Sequence, residues 1–165
     1  MKKSFLILLL SISCCVTFAQ DWAFGGGSYE TPRHQFGIEL GVGGAGDLCV
    51  DFGLRWQANF NEYIAWDVIT VKAVADVEED FSETITPEIL SGLRLISPDF
   101  GGMTAYVNGR VGYAHNFDME EGGFTYEVGA GLNVTRHIYV GYAFNHIKID
   151  ESDANYHAFR VGFLF

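Results

Sequence analysis

The chain has 165 residues, 21 Asp and Glu against 10 Lys and Arg, and a formal net charge of −11. A chain this acidic lacks the Lys and Arg that nucleic-acid phosphates demand, so no nucleic-acid partner is expected. Its 48% hydrophobic content, with 14 Phe and 8 Tyr, excludes intrinsic disorder, and the length suits one domain.

The N-terminus reads as a secretory signal. Lys2 and Lys3 form a positive n-region, Phe5 to Ile12 an apolar core, and Thr17-Phe18-Ala19 a small-residue cleavage site. The apolar run is too short to cross a bilayer as a helix. Cleavage before Gln20 is expected, which moves the net charge from −11 to −13 because Lys2 and Lys3 leave. Lipoprotein processing at Cys14 or Cys15 fits poorly, since Cys14 has Ser11 at minus three and Cys15 has Cys14 at minus one. Both cysteines go with the signal. Cys49 then remains alone and no intramolecular disulfide can form. The expected organisation is a signal peptide over 1–19, a short periplasmic segment over 20–33 and a barrel domain over 34–165.

From His34 onward the pattern is period-two alternation broken by turn residues, the mark of half-buried strands. The first segment sets Phe36, Ile38, Leu40 and Val42 against Gly37, Glu39, Gly41 and Gly43. The second runs from Leu48 to Phe60, with Asp51, Gly53, Arg55 and Gln57 on the less apolar parity. An Asn61-Glu62 turn leads into a third, where Ile64, Trp66 and Val68 oppose Ala65 and Asp67. The fourth carries Ile85, Ile89, Leu93 and Leu95 against Thr86, Glu88, Gly92 and Arg94. After the Ser97 to Gly102 turn, a fifth has Val107, Val111 and Tyr113 against Asn108, Arg110 and Gly112. The sixth alternates Phe124 to Val134 with Thr125, Glu127, Gly129, Gly131 and Asn133. The seventh alternates Ile138 to Phe144 with Tyr139, Gly141, Ala143 and Asn145. The eighth sets Phe159, Val161, Phe163 and Phe165 against Ala158, Arg160, Gly162 and Leu164.

Two places break the alternation. Ile69 to Ala75 is apolar on both parities apart from Thr70 and Lys72, so either a bulge shifts the register or Lys72 snorkels to headgroups. Pro87 lacks a ladder donor, which predicts a bulge near that end of the fourth strand.

Eight such strands predict an all-β, eight-stranded antiparallel up-and-down transmembrane β-barrel. The bulky parity holds Phe36, Trp56, Trp66, Tyr126, Phe144 and Phe163, too much volume for an eight-stranded interior. The Gly-rich parity fits inside, and it carries the expected lumen ion network: Glu39, Asp51, Asp67, Glu88 and Glu127 with Arg55, Arg94, Arg110 and Arg160. Five acids against four Arg approach neutrality, and the guanidinium fork suits bidentate pairing in a dry interior. Bulk outside and ions inside mean lipid outside. Trp56, Phe60 and Tyr63 at one end, with Phe163 and Phe165, predict one interfacial girdle. Tyr113, Phe117, Phe124 and Tyr156 predict the other. Links after the second, fourth and sixth strands read as turns. Three of the others read as longer acidic loops, carrying Asp76 to Glu83, Asp118 to Glu121, and Asp150 to Asp153.

With its aromatic–Gly strand grammar, as in Tyr139-Val140-Gly141-Tyr142-Ala143-Phe144, the region Gln35 to Phe165 resembles the small outer-membrane barrels of the OmpX, Ail and OmpA membrane-domain type, especially the compact porin-family versions of Bacteroidota-type bacteria. The resemblance implies residence in the bacterial outer membrane with both barrel termini periplasmic. It also implies contact with outer-membrane lipid and lipopolysaccharide. Phe163 and Phe165 resemble the C-terminal signal read by the barrel-assembly machinery, although Gly162 lies nearer the end than usual. A monomer without cofactor or metal is expected.

Catalytic motifs are weak. Lipid A deacylase barrels of similar architecture pair His and Ser two residues apart. Here the residue two after His146 is Lys148, so the nucleophile is missing. His115 at the rim has no nearby Ser. The acidic run Asp76, Glu78, Glu79 and Asp80 has hard oxygens but no calcium-loop spacing. The sequence therefore predicts a non-catalytic structural or surface-interaction barrel. A narrow passive pore stands as the first alternative and a lipid-modifying enzyme as the second.

Overall fold

A computed structural model of the protein describes residues 32–44, 48–76, 85–116, 121–149 and 152–165. Apart from Phe165 these fall in one compact unit, Thr31–Leu164. The signal peptide, most of the 20–33 segment, Phe117 and the acidic residues Glu78, Glu79, Asp80, Glu83, Asp118, Glu120, Asp150 and Glu151 lie outside the described residues.

Eight antiparallel strands close on themselves in sequence order: β1 His34–Gly44, β2 Leu48–Asn59, β3 Ile64–Asp76, β4 Thr86–Ile96, β5 Thr104–Asn116, β6 Glu121–Asn133, β7 Ile138–Ile149 and β8 Ser152–Leu164. β1 pairs with β8, so no sheet edge remains and the backbone groups bond internally. The register defines the stagger. A circuit from Ile138 through Phe163, Ile38, Leu54, Val71, Ile89, Tyr113 and Phe124 returns to β7 at Lys148, a shear of ten residues. Eight strands with that shear tilt by about 40° to the axis. Strands of 11–13 residues then rise ~25–30 Å, the height of a bilayer core.

Burial is inverted relative to a soluble barrel. Glu39, Asp51, Arg55, Asp67, Glu88 and Arg110 are buried, while Phe36, Leu40, Val107, Val128 and Phe159 stand exposed on the outer wall. An outer face this apolar is matched to hydrocarbon rather than water. Trp56 packs outward between Phe36 and His34, and Phe60 and Tyr63 are exposed at the same end.

The alternation fails at Ile69 because β3 carries a bulge. Its register shifts against β2 between Trp56 and Gln57 and against β4 between Asp67 and Thr70. The inward parity thus passes from Ala65 and Asp67 to Thr70, Lys72 and Val74. Lys72 faces the lumen and does not snorkel. Ser91, opposite the bulge, donates to the Asp67 carbonyl and accepts from Trp66 Nε1, both at 3.1 Å, which satisfies polar groups that the distorted ladder leaves at membrane depth.

Two expectations need correction. Pairing of β3 with β4 runs through Ala73↔Pro87 to Val74↔Thr86 without a shift, so the bulge expected at Pro87 is absent there. Proline is tolerated because pairing of β4 with β5 starts only at Glu88. The loop asymmetry is also smaller than the sequence suggests. Glu121 and Asp153 belong to strands, leaving four residues between β5 and β6 and two between β7 and β8. Antiparallel pairing continues through these polar residues, as Asn116↔Glu121 and Lys148↔Asp153 show, whereas polarity alone had suggested loops.

Candidate functional site

All eight strands send polar side chains inward to one connected cluster. Its hub is Arg110 on β5. Nη2 and Nη1 grip Glu39 of β1 at 2.8 and 3.0 Å, Nε meets Asp67 of β3 at 2.7 Å, and Nη1 also reaches Glu127 of β6 at 3.2 Å. Glu39 further accepts from Arg55 of β2 at 3.0 Å and from the Tyr139 hydroxyl of β7 at 2.7 Å. Glu127 is shared with Arg160 of β8 at 2.6 Å and Lys72 at 3.1 Å. Arg160 also pairs with Asp51 at 3.0 Å. Lys72 reaches Glu88 of β4 at 3.0 Å and donates to the Tyr156 hydroxyl at 2.8 Å. Asn145 of β7 donates to both Glu88 oxygens at 3.1 Å.

The nine lumen residues expected from sequence are therefore all interior, but they are not all paired alike. Arg94 has no carboxylate within ion-pairing distance among the described residues. Its guanidinium lies over the Tyr106 ring at 4.0 Å and near the Tyr139 ring at 5.0 Å, a cation–π arrangement. Lys72 supplies the cation that the sequence count lacked. Five buried acids (Glu39, Asp51, Asp67, Glu88, Glu127) now face five buried cations (Arg55, Lys72, Arg94, Arg110, Arg160). Balance of this kind is what a low-dielectric interior requires, since each unpaired ion costs several kcal/mol. Lys72 was obscured by the bulge, which reverses its parity.

Tyr139 and Tyr156 were also missed as network members. Tyr156 was expected in the loop-end girdle, but it is buried, between Lys72 and Asn145. Its neighbour Arg160 lies four residues on and faces inward too, and that even spacing was the available signal. Glycine makes room for the interior rings. A Cβ on Gly162 would fall 1.9 Å from Tyr139, and one on Gly141 would fall 2.2 Å from the Tyr106 hydroxyl.

Apolar groups flank the ionic layer on both sides, and at the terminal end they share the interior with the hydrogen-bonded Gln35, Gln57 and Asn59. Toward the β7–β8 link lie Val74, Ala114, Ile147, Ile149, Tyr156 and Ala158. Toward the termini lie Tyr106, Tyr139 and Leu164, with Ile96 against them. Between them, the cavity bordered by Glu39, Arg94, Tyr106, Asn108 and Arg110 holds about 10 Å³, roughly the room of one water.

The fold has known counterparts. The profile of the family described as "outer membrane protein beta-barrel domain" matches residues 7–165. The chain belongs to this outer-membrane β-barrel family. Membership places the protein in the bacterial outer membrane. Among solved structures, Neisserial surface protein A is similar at 12% identity and a TM-score of 0.59, covering 79% of this chain and 94% of that one. A de novo designed transmembrane β-barrel matches at 15% identity and 0.52, covering 82% and 99%. The N-terminal β-barrel domain of Pseudomonas aeruginosa OprF matches at 14% and 0.51, covering 79% and 97%. These likenesses show the shared fold. No curated protein matches the chain in sequence.

No group of three or more His, Cys, Asp or Glu is placed to hold a metal ion among the described residues. His146 lies on the outer wall with Nδ1 at 2.6 Å from Asn155 Oδ1 and Nε2 at 4.0 Å from Asp153. Lys148, where a deacylase-type serine would stand, is exposed on the same face.

Proposed function

We propose that the protein is a closed, non-conducting and non-catalytic barrel with a structural or surface-interaction role. Both barrel termini are periplasmic in this reading, and the β1–β2, β3–β4, β5–β6 and β7–β8 links face outward. One observation carries it: a charge-balanced layer spanned by all eight strands, which leaves only about 10 Å³ of cavity within it. A conducting path would have to break several buried ion pairs at once.

The test is conductance of the refolded chain in a planar bilayer. The reading expects no steady unit steps, and reproducible steps of one size would refute it in favour of a narrow pore. The non-catalytic reading is supported by Lys148 standing two residues after His146, where a deacylase-type barrel carries its serine. His146→Ala should leave lipid A acylation unchanged, and an altered acylation pattern would establish an enzyme. Phe163 and Phe165 are proposed to present the C-terminal strand to the assembly machinery. Outer-membrane lipid and lipopolysaccharide are the proposed permanent neighbours of a monomeric barrel.

A further inference from the structure

The link end of the outer wall differs from sector to sector among the described residues. At the link end of β1 and β2 the outward residues are Val42, Leu48 and Val50, and β4 presents Ile89. On β7 and β8 the outward residues are His146, Lys148, Asp153, Asn155 and His157. These groups are ordered among themselves. Asn155 holds His146 Nδ1, Asp153 faces its Nε2, and the Tyr142 hydroxyl bonds His157 Nδ1.

Projection of this hairpin beyond the membrane does not explain the strip. With strands tilted by about 40°, each residue climbs ~2.5 Å along the axis. Following the registers round the wall places His157 and His146 level with Val50, and Asn155 level with Leu48. The polar strip therefore sits where the neighbouring β1–β2 wall is still dressed for hydrocarbon. Acyl chains cannot satisfy such groups, which at membrane depth demand a polar partner.

We propose that this strip seats the phosphate-bearing headgroup of a membrane lipid, drawn down beside β7–β8, with the acyl chains lying on Phe144 and Phe159. Lys148 and the imidazoles meet the phosphate, and Asp153 accepts from a headgroup hydroxyl or ammonium. Phe144 meets His157 at a tilt, and Phe159 packs edge-on against Tyr142, so aromatic surface continues directly below the polar strip. A second copy of the chain suits the strip less well, because it would have to match one lysine and one carboxylate on a narrow sector. A headgroup brings both complements on one molecule. Which leaflet supplies the lipid rests on the orientation proposed above, whereas binding itself does not.

The full chain, refolded in a phosphate-free maltoside detergent, is titrated with lipid A, phosphatidylglycerol, diacylglycerol and inorganic phosphate. Bound lipid is read by native mass spectrometry, and the His146 and His157 rings by nitrogen NMR. At least one of the two phospholipid probes should bind and move both ring signals, while diacylglycerol and inorganic phosphate should not. The His146→Phe/Lys148→Leu/Asn155→Leu variant should bind about tenfold more weakly, or ~1.4 kcal/mol. Equal binding of diacylglycerol would overturn the headgroup, and equal binding of inorganic phosphate would overturn the lipid. A dimer that shields the strip would overturn both. Preference for lipid A supports links facing outward, and preference for phosphatidylglycerol keeps the site but refutes that orientation. If the variant fails to fold, the wild-type ring shifts still decide the matter.

Discussion

Replacing Arg110 with Met tests whether the ionic layer holds the barrel together. The substitution keeps an unbranched stem of similar girth but removes four short contacts to three carboxylates on three strands. Those carboxylates are not left equally exposed. Glu39 keeps Arg55 at 3.0 Å and the Tyr139 hydroxyl at 2.7 Å, and Glu127 keeps Arg160 at 2.6 Å and Lys72 at 3.1 Å. Asp67 keeps only Arg55, at 3.7 Å. Removal of one partner from a buried pair costs ~3–5 kcal/mol, and here the lower end is expected because only one acid is stranded. The same reasoning predicts a sign reversal. Asp67→Asn destabilises the wild type, yet in the Arg110→Met background it should restore about 1–2 kcal/mol by removing the stranded charge. Urea unfolding in detergent, followed by tryptophan fluorescence and gel mobility, measures both effects. A loss below about 1 kcal/mol for Arg110→Met would place the pair in the class of surface ion pairs. Simple additivity of the two changes would refute the argument about Asp67.

Three further outcomes follow from the same packing. Arg94→Met should cost only ~0.5–2 kcal/mol in the same urea assay, because its partners are the Tyr106 and Tyr139 rings rather than carboxylates; a loss as large as that of Arg110→Met would contradict this. Ser91→Ala removes the hydroxyl shared by Trp66 Nε1 and the Asp67 carbonyl, and should cost ~1–3 kcal/mol. It should also shift the tryptophan emission, and an unchanged spectrum would speak against the bridge. Gly162→Ala should destabilise by ~1–3 kcal/mol, since its Cβ would fall 1.9 Å from Tyr139. Gly109→Ala, with nothing within 4 Å of its Cβ, is the matched control and should be near neutral; equal losses at the two sites would refute the packing account.

Strand number, the lipid-facing side and most of the lumen ions were legible because a strand's side-chain period is two, and Gly with charge on one parity has a single physical home. Legibility ended where local rules met non-local ones. Lys72 reads as outward if parity is counted from Trp66, because a bulge costs one residue that composition does not mark. Tyr156 reads as an interfacial aromatic because its type favours the girdle, yet its parity and the glycines facing the lumen send it inside. Asp153 and Glu121 look like loop residues, and the length of an antiparallel ladder kept them in strands.

The sequence by itself determined the architecture: eight alternating segments, the inverted placement of bulk and charge, and a near-neutral set of interior ions. Tertiary structure alone decided how those ions are joined. The ten-residue shear brings Arg110 of β5 onto Glu39 of β1, residues 71 positions apart, and the β3 bulge turns Lys72 toward Glu88 and Glu127. The same stagger lowers polar residues of β7–β8 to a level where the neighbouring β1–β2 wall is apolar. Periodicity is a property of each strand alone. Partnership and depth depend on how the strands are offset when the sheet closes, and no single strand encodes that offset.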